Sequence, residues 1–184
     1  RRGHRSDDRG GSRLLMWSTI AAEAVAESSL WADALKADPT DEPVFSPLAE
    51  ERFRLGLETI YEGYLVHYGT PRLFEPPDPD TALLLGDYLY AHGLVRIADV
   101  GDVDAVADLS ELISLCSQLR AEDAPGDGPL WAGTAALLGR RRLDEPRAAL
   151  RLRGDAAPLE SAARGAVGDE RVDAALAAHS GRVL

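Results

Sequence analysis

The stretch Leu83-Leu84-Leu85-Gly86-Asp87-Tyr88-Leu89-Tyr90-Ala91-His92-Gly93-Leu94-Val95-Arg96-Ile97-Ala98 decides how the rest of the chain is read. It is the most apolar segment, yet it is short for a bilayer and is interrupted by Gly86, Asp87, His92 and Arg96. It therefore reads as a helix buried inside a protein. A carboxylate in a helix that is apolar nearly all round must be paired or hydrogen-bonded, since isolation there is costly. Gly86 weakens the helix by about 1 kcal/mol against alanine, which is tolerable where another backbone or a ligand comes close. The Gly86-Asp87 pair thus marks a specific site or interface. A helix apolar on so many sides also calls for neighbours on all of them, and a second chain is the simplest cover.

Outward from this segment the apolar spacing stays helical. Upstream, Leu14, Trp17, Ile20, Ala21, Ala24, Val25, Leu30, Trp31 and Leu35 predict a helix over 13–37, ended by Asp38-Pro39. Ser46 as N-cap with Pro47 behind it opens a second helix to about Tyr68, stopped by Gly69-Thr70-Pro71. Asp80 or Thr81 starts the third helix after a proline-rich connector. Asp102 caps a fourth, whose stripe of Val103, Val106, Leu109, Leu112, Ile113, Cys116 and Leu119 is the cleanest amphipathic pattern in the chain. The short link between the third and fourth predicts an antiparallel hairpin. Beyond the break at 124–129 come a short apolar helix over 130–139 and alanine-rich helices near 144–152, 158–166 and 169–179. The fold class is all-α, an antiparallel helical bundle. Residues 1–12 read as a flexible basic tail and 13–184 as one helical domain, with a core over 13–123 and short helices over 129–184.

Composition narrows the function. The chain has 184 residues, 45% hydrophobic and 28% charged, which fits one globular domain. Twenty basic against 31 acidic residues leave a net charge of −11, which disfavours nucleic acid and anionic membranes as partners. The single cysteine, Cys116, gives no disulfide framework and fits a cytoplasmic protein. No secretory signal or membrane span is visible, and the absence of methionine at position 1 is expected of a trimmed or tagged chain. The four histidines are isolated, so no zinc site is expected, and neither a nucleophile elbow nor a P-loop occurs. Arg140-Arg141-Arg142 could grip a phosphate or an acidic partner, but cations past a helix end more often offset its dipole.

Leu84-Leu85-Gly86-Asp87-Tyr88-Leu89-Tyr90-Ala91 resembles the L-x-G-D-x-L-x-x-A helix of the trans-isoprenyl diphosphate synthases, the polyprenyl synthetase family. Four other segments resemble pieces of that family in the same order: Gly10-Gly11-Ser12-Arg13-Leu14-Leu15, Ala21-Ala22-Glu23-Ala24, Asp99-Val100-Gly101-Asp102 and Gly133-Thr134-Ala135-Ala136-Leu137. The family's aspartate-rich motifs, which hold Mg²⁺ against the departing diphosphate, have no counterpart. His67 stands where the first would begin, but Tyr68, Gly69 and Arg72 replace its aspartates, and no Asp-Asp pair follows Asp8.

The resemblance implies an isoprenoid-synthase type of bundle, degenerate in its C-terminal third. It implies a non-catalytic subunit or pseudoenzyme that supports isoprenoid chain elongation as a homodimer or as a heterodimer with a catalytic prenyl diphosphate synthase subunit. No catalytic residue, metal ligand or cofactor is expected in this chain, with Mg²⁺ only where a partner supplies the aspartates. Arg13, His67 and Asp87 would be inherited cavity positions, and Leu84, Tyr88, Leu112 and Cys116 interface positions. The rival expectation is a helical protein–protein interaction scaffold without prenyl chemistry.

Overall fold

The computed structural model describes residues 8–183, with side chains from Met16 to Val183. Nine α-helices and no strand occur among these residues: α1 (Asp8–Glu27), α2 (Ser29–Asp33), α3 (Arg54–Tyr68), α4 (Pro79–Asp99), α5 (Val103–Ala121), α6 (Asp127–Leu137), α7 (Asp144–Arg153), α8 (Ala157–Val167) and α9 (Asp169–Ser180). The all-α expectation holds. Residues 1–7 of the expected tail lie outside the described residues, and 8–12 are already helical.

Two boundaries differ from expectation, each for a local reason. The helix expected over 13–37 breaks at Ser28, whose extended backbone lets its hydroxyl accept the Leu30 N–H and start α2 afresh. The helix expected from Ser46 begins only at Arg54, after 3₁₀ turns at Ser46–Leu48 and Glu51–Phe53. Ser46 is no cap. Its backbone N–H and that of Val44 donate to Glu58 Oε1 at 3.0 and 3.2 Å, which holds the 44–46 backbone against α3. Asp78 caps α4, accepting from Thr81 N at 2.8 Å with Pro79 at the first helical position. Asp102 caps α5 as expected, accepting from Ala105 N at 3.0 Å.

Helix α3 is the axis of the fold, with every residue from Gly56 to Leu65 buried. It carries Glu58 and Glu62, both without solvent exposure, and each faces the equally buried Arg72. Arg72 Nη1 donates to Glu58 Oε2 at 2.6 Å and Nε to Glu62 Oε2 at 2.9 Å. Glu62 Oε1 also accepts the Arg72 and Leu73 N–H groups at 2.8 and 2.7 Å. The guanidinium lies over the rings of Trp17 and Tyr61, 4.4 and 4.9 Å from their centroids. Burial works against its charge, but the two glutamates more than offset this and raise its pKa. The three ions thereby staple the loops before α3 and after it onto the helix.

The main neighbour of α4 is α3 rather than the α5 of the expected hairpin. The two run antiparallel: Gly56 faces Gly93 and Ile97, while Gly63 faces Gly86 and Leu89. A Cβ on Gly63 would lie 2.9 Å from the Gly86 carbonyl oxygen, and one on Gly93 would lie 2.4 Å from Ile60 Cγ1. Glycine is needed at this crossing because only backbone fits there. Trp17, Ile20, Ala24 and Trp31 form a second cluster with Leu85 and Leu89, which lays α1 and α2 along another side of α4. On the far side of α3, Phe45, Tyr61, Tyr64 and Trp131 fill the main core with α5, α6, α8 and α9.

The seam predicts a sign difference between two glycine substitutions. Gly93→Ala should lower stability by about 1–3 kcal/mol through overpacking. Gly165→Ala, in open space within α8, should raise it by about 0.5–1 kcal/mol. Urea denaturation of both variants checks the pair, and equal effects would contradict the close crossing.

Candidate functional site

Of the expected cavity residues, the structure brings two together. His67 ends α3 with its ring over Gly86, where an added Cβ would meet Nε2 at 2.4 Å. Its Nε2 lies 3.3 Å from Asp87 Oδ1. Gly86 therefore does accommodate a close neighbour, an imidazole rather than backbone or ligand. Asp87 is not the buried carboxylate expected: its side chain is 67% exposed while that of His67 is 10% exposed. The reason lies in α4, whose side away from α3 is left largely open. Leu83, Leu84 and Val95 are each more than half exposed, and Asp87 shares their open side. The Arg13 side chain lies outside the described residues.

The expected interface residues divide. Leu84 faces outward and Tyr88 is half-buried, stacked on His92 and packed near Trp31. Leu112 and Cys116 are fully buried in the chain's own core, so they offer no surface to a partner. Burial pushes the Cys116 thiol well above its ordinary pKa, which removes it as a nucleophile.

Beside His67 a cleft of about 450 Å³ opens, lined by His67, Tyr68, Gly69, Ser117, Arg120 and Ala121. Its polar groups are already engaged. Ser117 Oγ donates to the Ile113 carbonyl at 2.9 Å, and Arg120 Nη2 donates to Tyr64 Oη at 2.7 Å and Asp127 Oδ2 at 2.6 Å. Burial lowers the His67 pKa despite Asp87, so the imidazole is neutral at pH 7. The cleft holds a base without an adjacent nucleophile free to be activated.

Behind the cleft is a network that sequence reasoning missed. Tyr64 donates to Asp127 Oδ2, Tyr61 Oη pairs with His179 Nδ1 at 2.9 Å, and His179 Nε2 lies 3.4 Å from Asp127 Oδ2. Tyrosine, histidine and aspartate in that order resemble a proton relay. However, His179 is 3% exposed and Tyr61 is fully buried, and burial raises the phenol pKa. The network instead fastens α9 and the start of α6 to α3. Burial alone would raise the Asp127 pKa, but His179, Tyr64 and Arg120 outweigh it and hold the carboxyl well below its usual range.

Elsewhere the charges also serve the fold. Arg147, 2% exposed, donates to Asp108 Oδ1 and to the Asp108 carbonyl, both at 2.8 Å, tying α7 to α5. In the arginine run, Arg140 pairs with Glu50 at 3.2 Å and Arg141 with Asp104 at 3.6 Å. The groove beside the run also contains Asp144 and Glu145, which oppose a phosphate. Among the described residues, no three His, Cys, Asp or Glu side chains gather as a metal site, and no helix is long and apolar enough to cross a membrane. Comparison with protein-family models, with curated proteins and with solved structures found no match.

The depressed Asp127 pKa has a definite sign. It contributes stability that is present above the free-carboxylate value of 3.8 and is lost as pH falls toward the folded value. Asp127→Asn should therefore be less stable than the parent at neutral pH, and the gap should narrow as pH drops below about 4. Denaturant titrations across that range check this. A constant gap would show that the charge is not what matters.

Proposed function

We propose that this chain is a helical protein–protein interaction module that works through the outer face of α4. One observation carries the reading. Thr81, Leu84, Tyr88, Ala91, Val95 and Ala98 recur at alternating spacings of three and four on the side of α4 away from α3. Leu84 and Val95 are 56% and 55% exposed there. That spacing is the one by which a helix seats a partner helix, and Leu84, Ala91, Val95 and Ala98 stay exposed along it while Tyr88 is packed in part against Trp31. The engaged polar groups of the His67 cleft and the aromatic filling around α3 support a binding role over a catalytic one.

A second reading names the partner. The segment that resembles the isoprenyl diphosphate synthases, Leu84 to Ala91, is the segment that presents this stripe. On that reading the chain is a non-catalytic subunit that pairs with a catalytic prenyl diphosphate synthase, and the partner supplies the aspartates for Mg²⁺.

A photo-crosslinking residue at position 84, against one at the exposed position 145 on α7, tests the proposal in the native cell. The expected result is a protein adduct of defined mass from position 84 and none from 145. Failure to form any adduct at 84 would refute the interaction reading. An adduct containing a prenyl diphosphate synthase would support the second reading.

A further inference from the structure

The apolar stripe on α4 is bordered by acid on both sides. On one edge stand Asp80 and Asp87, seven residues apart, both exposed. Along the other run Glu23 and Glu27 of α1. Glu23 Oε2 contacts His92 Nε2 at 2.5 Å and also Arg96. Glu27 and Glu23, after burial, are the main charges that raise the Tyr88 pKa. The only arginine of α4, Arg96, is 14% exposed and held by Glu23. The face therefore offers leucine, tyrosine, valine and alanine in heptad spacing between two acidic rims, with Asp80 and Asp87 exposed on one side and Glu27 on the other, while Glu23 is spent on Arg96.

We propose that this face binds a basic amphipathic helix of another protein, with its apolar residues on the stripe and its Lys or Arg residues against the two acidic rims. This rests on the interaction reading above and adds the chemistry of the partner. Flanking charges select the partner of a helical seam, and these are of one sign. A second copy of this chain would set the same carboxylates against themselves, whichever way the two helices ran. A neutral or acidic helix would match the stripe and be repelled at its edges. The whole chain, at −11, adds a long-range field of the same sign that steers a cationic segment inward.

The test uses the full chain and three synthetic peptides of about three heptads each, with binding followed by fluorescence anisotropy. The first has leucine at the seam and arginine or lysine beside it. The second is its twin with glutamate beside the seam, and the third is a scramble of the first. The expected result is that the first binds and that the scramble and the acidic twin bind at least about tenfold more weakly. Binding of the first should also fall about tenfold between low and high salt as the rims are screened.

Leu84→Glu should abolish binding, and Asp80→Asn with Asp87→Asn should weaken it. Glu145→Gln with Glu170→Gln, exposed acids outside the face, should leave it unchanged. Equal binding of the scramble would overturn the proposal in favour of bare charge attraction, and equal binding of the acidic twin would overturn it in favour of apolar contact. So would a concentration-dependent dimer of the parent chain that Leu84→Glu dissociates. Tighter peptide binding after Arg1, Arg2 and Arg5 are changed to glutamine would also overturn it, since the chain's own basic segment would then be the occupant. A crosslinked adduct at position 84 alongside failure of the basic peptide would leave the interaction reading standing and remove this inference alone.

Discussion

Arg72 is a cation buried from solvent, and the placement of the surrounding chain follows from that. A guanidinium in a protein interior persists only where carboxylates and carbonyls meet most of its donors. Here Glu58 and Glu62 project one turn apart from the same face of α3 and meet it together. Their remaining oxygen valences bind the backbone of 44–46 and of 72–73. Two irregular segments on either side of the central helix are thus fixed by one ionic group. The later start of α3 follows from this, because the residues expected to form its first turns are held against Glu58.

Fixing α3 in this way determines what α4 can do. Gly56 and Gly63 on one helix and Gly93 on the other let the two backbones approach closely, while Gly86 makes room for the His67 ring. A close crossing buries a narrow strip of α4, and α1 and α2 cover the strip beside it. The opposite side, with Leu84 and Val95, is left without a neighbour among the described residues. That uncovered apolar side is what the proposed interaction rests on.

Much of this could be read in the sequence, and the misses have physical causes. Helical periodicity located every element from α3 onward to within a few residues, except the start of α3. A carboxylate in an apolar helix must have a partner, and the residues for which this holds are Glu58 and Glu62 rather than the exposed Asp87. Both glutamates lie in the run Leu57-Glu58-Thr59-Ile60-Tyr61-Glu62-Gly63-Tyr64-Leu65, one helical turn apart. That spacing was the available signal for a shared cation. Which arginine would answer it was not legible, because Arg72 reaches them only through the turn at Gly69-Thr70-Pro71. The resemblance places Leu112 and Cys116 at an interface, and the periodicity of α5 does not correct it, because it shows that a face is apolar and not whether the chain or a partner covers it. The Asp127–His179 contact joins residues far apart in sequence, and no local pattern announces it.

The ionic group on α3 supports the fold from inside, whereas the outer face of α4 lies where solvent already reaches. The most direct measurement is equilibrium denaturation of the isolated chain carrying either Arg72→Met or Leu84→Glu. Arg72→Met leaves Glu58 and Glu62 buried and unpaired and should cost about 3–5 kcal/mol or prevent folding. Leu84→Glu places a charge where solvent already reaches and should shift stability by no more than about 0.5 kcal/mol. A chain that tolerates Arg72→Met and unfolds with Leu84→Glu would contradict both halves of the account.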